Sequence, residues 1–141
     1  MPLANALNVS ASALDAQRTR LEVAVSNIAN AESTRGADGQ PYRRRDVVLS
    51  AQPSESFDAA LGRADAVGVQ VQGVVEDQTP FRRRYEPSHP DADSDGFVAM
   101  PNVDVPEEMV DMIGAARAYQ ANLTAIGLIR DTINRALDLG K

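Results

Sequence analysis

One stretch, Asp104 to Leu139, constrains the fold more than any other. Its positions Met109, Met112, Ala116, Tyr119, Leu123, Ile126, Arg130, Ile133 and Leu137 follow one another at alternating steps of three and four, and only Arg130 is charged. Such a repeat holds one narrow stripe of a helix against a partner helix, because seven residues nearly complete two turns. The ends carry boundary signals. Asp104 is placed to cap the N-terminus, Pro106 suits the first turn, Glu107 completes a capping-box spacing, and Gly140 stands where the helix would stop. Acids come early (Glu107, Glu108, Asp111) and bases late (Arg130, Arg135, Lys141), as the helix dipole favours. At the usual rise per residue this helix is about 50 Å long, well beyond the ordinary length in globular domains. Its stripe requires a partner.

A second amphipathic helix is predicted over Leu3 to Ser33. Leu7, Leu14, Leu21 and Ile28 recur every seven residues, with Ala4, Ala11, Arg18 and Val25 in a companion row. Again one arginine interrupts the seam. The two helices can pair within the chain, parallel or antiparallel, or each can face other subunits. Composition fits such seams: hydrophobic residues make up 43% of the chain and aromatics only 4%, so the apolar content is mostly Ala, Val, Leu and Ile. After Ile28 the run Ala29-Asn30-Ala31-Glu32-Ser33-Thr34-Arg35-Gly36 favours caps and turns, and Asp38-Gly39-Gln40-Pro41 breaks the chain.

The centre reads as β. Tyr42 to Leu49 is strand-like, and Val67, Val69 and Val71 alternate with Gly68, Gln70 and Gln72, a pattern that runs on through Val75. Thr79 to Tyr85 is a further run, with Asp77-Gln78 as a turn before it, and Phe97 to Met100 a short last strand. Residues 51–66 read as a mobile loop. The fold class is therefore α+β: long N- and C-terminal helices in a coiled-coil-like bundle, with a small central β-rich region. The divisions fall at 1–35, 36–101 and 102–141. The β part is too small and too poor in large apolar groups to be stable alone.

Several function classes are disfavoured. Net charge is −6, which opposes bulk attraction to nucleic acid or anionic membrane. The absence of cysteine removes disulfides, thiol catalysis and thiolate metal sites. No apolar run reaches the length of a membrane span, and Met1 to Asn5 begins no cleavable secretory signal. Taken alone, this points to the cytosol. The single histidine, His89, lies in a proline-rich turn, and no phosphate-cradling glycine loop is present. No catalysis and no cofactor are expected.

Two motifs remain. Asp91-Ala92-Asp93-Ser94-Asp95-Gly96 matches the opening of a calcium loop, with Asp91, Asp93 and Asp95 at ligand positions. The closing Glu is missing, since Asn102 holds its place and Ala99 the ninth position, and no helix enters the loop. An Asx-rich turn explains the same residues, and a small calcium-responsive binding module is the alternative. Arg43 to Arg45 and the run Arg82, Arg83, Arg84 are bordered by Tyr42, Phe81 and Tyr85, a combination able to grip single-stranded nucleic acid. Between Gly36 and Pro101, however, acids outnumber bases by eleven to seven. The preferred reading is strands whose arginines reach carboxylates, within the subunit or across an interface.

Taken in order, Ser26-Asn27-Ile28-Ala29-Asn30-Ala31, Pro41-Tyr42-Arg43-Arg44, Tyr85-Glu86-Pro87-Ser88-His89-Pro90-Asp91-Ala92-Asp93, Gly96-Phe97-Val98-Ala99-Met100-Pro101-Asn102-Val103 and Ala116-Arg117-Ala118-Tyr119-Gln120-Ala121-Asn122 resemble the flagellar axial proteins. The proline-histidine-proline-aspartate stretch points to the proximal-rod branch. The resemblance spans nearly the whole chain. It implies a non-catalytic structural subunit of the basal-body rod, stacked helically with copies of itself and other rod proteins into a hollow shaft across the periplasm. It also implies delivery through the flagellar export apparatus without a cleaved signal peptide, which replaces the cytosolic expectation, and no membrane insertion. The assembly interface would then be formed by Leu7, Leu14, Leu21, Ile28, Met109, Met112, Ala116, Tyr119, Leu123, Ile126, Ile133 and Leu137. Arg18, Arg130, Arg82, Arg83 and Arg84 would supply register-fixing or inter-subunit ion pairs.

Overall fold

The computed structural model describes residues 2–52 and 67–140. The elements are α1 (Pro2–Ala29), β1 (Arg45–Ala51), β2 (Val69–Glu76), β3 (Arg82–Tyr85), β4 (Phe97–Met100) and α2 (Val105–Leu139). This is the α+β arrangement that the repeats predict: two long helices around a small β region. Most of the expected 51–66 loop lies outside the described residues.

The helices pair antiparallel. Asn27, near the end of α1, bonds Glu108 in the first turn of α2, and Arg18, earlier in α1, lies in electrostatic reach of Tyr119, further along α2. Because α2 is the longer helix, its last turns run past the start of α1, and residues 134–140 are exposed throughout.

The strands form two separate antiparallel ribbons, β1 with β2 and β3 with β4. In the first, Arg45 faces Glu76 and Ala51 faces Val69, with an irregularity between Val48 and Leu49. This ribbon lies along α1, where the Ser12 hydroxyl accepts the Val69 N–H at 3.1 Å. In the second, Arg82 faces Met100 and Tyr85 faces Phe97. Val98, Met100, Pro101 and Val103 are buried where this ribbon leads into α2.

Local chemistry explains where the boundaries differ from the expected ones. The first helix stops at Ala29 and not Ser33. The Asn30 amide donates to the Ser26 carbonyl, and tight turns follow, from Ala31 N–H to Ile28 and from Ser33 N–H to Asn30. The first strand starts at Arg45, not Tyr42, because the N–H groups of Arg44 and Arg45 are taken by the side-chain oxygens of Asn102 and Asn27. Likewise β3 starts at Arg82. Thr79 is held in an Asx turn by the Asp77 carboxylate, and its carbonyl accepts from Asn102.

The start of α2 also departs from expectation. Asp104 occupies the N-cap position, but its side chain makes no capping bond. Arg82 holds that carboxylate at 3.2 Å instead, so the capping box does not form. The functional glutamate of the first turn is Glu108, one residue beyond the expected Glu107. At the other end the Gly140 N–H closes on the Leu137 carbonyl.

Candidate functional site

Small residues are among the most deeply buried on α1 and α2. Ala16 and Ala24 of α1 and Ala115 of α2 are buried, flanked by half-buried Val9, Ala13 and Val23 on α1 and by Asn122 and Ile129 on α2.

The large residues of the expected interface divide between the seam and the surface. On α1, Leu7, Leu14, Leu21 and Ile28 are half-buried, while Ala4, Ala11, Arg18 and Val25 face solvent. On α2 the row Met112, Tyr119, Ile126 and Ile133 is half-buried and belongs to the intramolecular seam. The companion row is displaced by one position. Glu108, Ala115, Asn122 and Ile129 turn toward α1, whereas Ala116 and Arg130 are exposed and Met109, Leu123 and Leu137 are 49%, 47% and 63% exposed. One position on a helix is a rotation of about 100°. The Met109–Leu137 row is thus a second stripe beside the seam, continued by Ile113 at 50% exposure.

At the upper end of the helix pair sits a polar junction. Asn27 and Glu108 are the two buried polar side chains among the described residues, at 1% and 2% exposure. The Asn27 amide donates to the Arg45 carbonyl at 2.8 Å and to Glu108 Oε2 at 2.9 Å. Its oxygen accepts from the Tyr42 hydroxyl at 2.9 Å and the Arg45 N–H at 3.0 Å. Glu108 Oε1 accepts from Arg44 Nε at 2.6 Å, a short charge-assisted bond. Asp46, Asp77 and Asp111 surround the same guanidinium at 3.6 to 3.8 Å. Burial works against the charge of Arg44, but the bond to Glu108 and the neighbouring carboxylates outweigh it and raise its pKa. Asn102 completes the knot, accepting from the Arg44 N–H at 2.8 Å and donating to Thr79 Oγ1 at 2.8 Å. Asn27 and Glu108 carry no hydropathy signal for burial. The available signal was spacing: Glu108 stands seven residues before Ala115 in the buried row.

The arginine runs are satisfied within the subunit. Arg82 pairs with Asp104, Arg83 with Asp93 at 2.7 Å and Arg84 with Glu86 at 2.9 Å. Arg18 pairs with Glu22 one turn along its own helix, and Arg130 has no ion pair among the described residues. Arg83 also lies over the Phe97 ring, which Tyr85 meets edge-on, and Arg43 lies over Phe81. The aromatic–arginine interleaving therefore serves internal stacking.

The calcium-like loop is an ordinary turn. Asp93 Oδ1 accepts the N–H groups of Asp95 and Phe97, and Gly96 takes a positive φ of 80° where an added Cβ would strike the Tyr85 ring. The Asp91 carboxylate turns away to Thr34 at 2.9 Å and Arg35 at 2.8 Å. His89 Nδ1 accepts the Asp91 N–H. Among the described residues no three such groups converge as a metal site would need, and the calcium reading has no support. No described helix is long and apolar enough to cross a membrane.

A long helix pair that leaves a second row of large apolar residues at its surface has the build of a structural subunit. Comparison with known proteins gives the kind. A family described as flagella basal body rod protein matches residues 7–37, and one described as flagellar basal body rod FlgEFG protein C-terminal matches residues 94–139. The chain is 46% identical to the flagellar basal-body rod protein FlgC of Salmonella typhimurium and 45% identical to that of Escherichia coli O6:H1, covering each chain completely. It is 43% identical to FlgC of Bacillus subtilis over 97% of each chain. The chain belongs to the FlgC family of flagellar basal-body rod proteins; it is a structural subunit and not an enzyme.

Proposed function

We propose that this subunit builds the proximal rod by helical stacking through its terminal helices, alongside copies of itself and other rod proteins. In this reading residues 1–35 and 102–141 form the inner bundle around a channel and residues 36–101 the outer region. The apolar rows Leu7–Ile28 and Met109–Leu137 meet helices of neighbouring subunits. The observation that carries it is the exposure of Met109, Ile113, Leu123 and Leu137 along one stripe of α2. A row of large apolar side chains left at the surface marks an interaction site. Contacts of the heterologous kind, repeated without closing a ring, generate a helical filament.

The subunit reaches the periplasm through the flagellar export apparatus without a cleaved signal. The absence of cysteine supports this, since no disulfide would hinder passage of an unfolded chain. Arg130, exposed within the second stripe, pairs with an acid of a neighbour.

The test is a strain carrying Leu123→Asp in place of the native gene. It should export the subunit, form no rod and be non-motile. A motile strain would remove the stripe from the interface.

A further inference from the structure

The helix pair leaves two outward faces, and they differ in kind. On α2 the stripe holds Met109, Ile113, Leu123 and Leu137, large apolar side chains about half exposed. The exposed side of α1 holds Ala4, Ala11, Asp15, Glu22, Val25 and Ala29. Apart from Val25 these are alanines and carboxylates. One face offers knobs and the other offers shallow holes.

Charge divides the same way. The exposed charges of α1 are Asp15, Arg18 and Glu22, so acids lead by two to one. Between Ala116 and Leu137 the exposed charges of α2 are Arg117, Arg130, Asp131 and Arg135, so bases lead by three to one. Among the described residues Asp15 has no ion pair, and neither do Arg117, Arg130 and Arg135. Gly127 adds a separate sign. It lies in the stripe, one turn after Leu123, where a glycine weakens a helix relative to alanine. A Cβ added there meets nothing within 4 Å. Nothing inside the subunit calls for a glycine at that point, but a helix approaching from outside would.

We infer that the α2 stripe seats on the N-terminal helix of a neighbouring rod subunit, against a face of small residues flanked by carboxylates. The outward side of α1 is that face as this chain builds it. Met109, Ile113 and Leu123 enter between small side chains, Gly127 marks the closest approach, and Arg130 meets a carboxylate placed as Asp15 is. A stripe set against a second stripe would instead gather the arginines of both along one contact, at a cost in like-charge repulsion. The two faces differ and sit on the same subunit, so the contact is heterologous and does not close on itself. The inference rests on the reading of the stripe as an assembly surface and names what covers it.

The test is made in cells that assemble the rod. Ala11 is exposed, so Ala11→Leu fills the receiving face without entering the seam. That subunit should be exported in normal amount and leave the cells non-motile, and Gly127→Leu should do the same from the other side. Ala11→Ser, which stays small, should swim normally. A benzophenone side chain placed at Gln120, exposed within the stripe, should link under light to a peptide from the N-terminal helix of a rod subunit, in an adduct larger than the single chain. A motile Ala11→Leu strain overturns the inference, as do adducts confined to C-terminal helices or missing from assembled rods. Loss of export in Ala11→Leu assigns that residue to delivery and also overturns it. Leu123→Asp then separates the two readings. If it is non-motile while Ala11→Leu swims, the stripe remains an assembly surface with a different partner; if it swims, the assembly reading falls as well.

Discussion

The two sides of α2 both carry large apolar residues, but only one is covered. Toward α1 it presents buried Glu108 and Ala115 with half-buried Met112, Tyr119, Asn122, Ile126, Ile129 and Ile133. Away from α1 it presents Met109, Ile113, Leu123 and Leu128, all about half exposed or more. An ordinary domain helix buries its large apolar side chains on one face and exposes polar ones on the other. The difference teaches what holds the subunit together and what it leaves unfinished. The pair is held by a seam of small and half-buried apolar side chains and by a saturated polar junction. A second set of large apolar side chains is left at the surface.

This contrast can be broken at several points. The largest effect on the isolated chain should come from Arg44→Ala, which leaves Glu108 buried without its charged partner. A loss of about 3 kcal/mol is expected in urea unfolding; a loss under about 1 kcal/mol would show that side-chain packing alone holds the pair. Next comes a matched comparison across the helix. Ala115→Leu overfills the close contact and should cost about 1–3 kcal/mol, whereas Leu123→Ala on the outer stripe should change stability by about 0.5 kcal/mol or less. Equal costs would erase the distinction between the sides.

The smallest effect lies in the outer region and is a matter of pH. The N–H and hydroxyl of Thr79 hold the Asp77 carboxyl below the usual range, and the Phe97 N–H, with Arg83, does the same for Asp93. A carboxyl whose pKa is lowered by folding contributes stability that is fully present above its unfolded value, about 4. That contribution is lost as pH falls through the lower folded value. Asp93→Asn should therefore flatten the acid limb of a stability profile and leave its dependence on pH unchanged above about pH 5. A variant whose acid limb is as steep as before would show that this turn does not depend on the charge.

Much of this architecture was legible in the sequence, and particular residues show where legibility stopped. The period of seven revealed both helices, and Phe97 to Met100 was readable as a strand between a glycine turn and Pro101. The row Met112, Tyr119, Ile126 and Ile133 is visible in the sequence because its members are large. The row beside it lies at Glu108, Ala115 and Asn122, one position round from Met109, Ala116 and Leu123, and its small and polar residues give no hydropathy signal. Asn27 and Glu108 stayed hidden for a related reason. Their burial depends on Arg44 and Tyr42, whose distance in the chain gives no local sign of contact. The Asp91–Asp95 run looked like a metal loop because ion binding and turn capping draw on the same side chains; the difference lies in where each carboxylate points.

A map of the assembled rod with this chain traced in it tests the central claim most directly. Met109, Leu123 and Leu137 should pass from roughly half exposed to buried against helices of neighbouring subunits, while the Asn27–Glu108 bond stays as it is in the single subunit. If that stripe instead faces open solvent or the channel in the assembled rod, the large apolar side of α2 is not the assembly surface and the account fails.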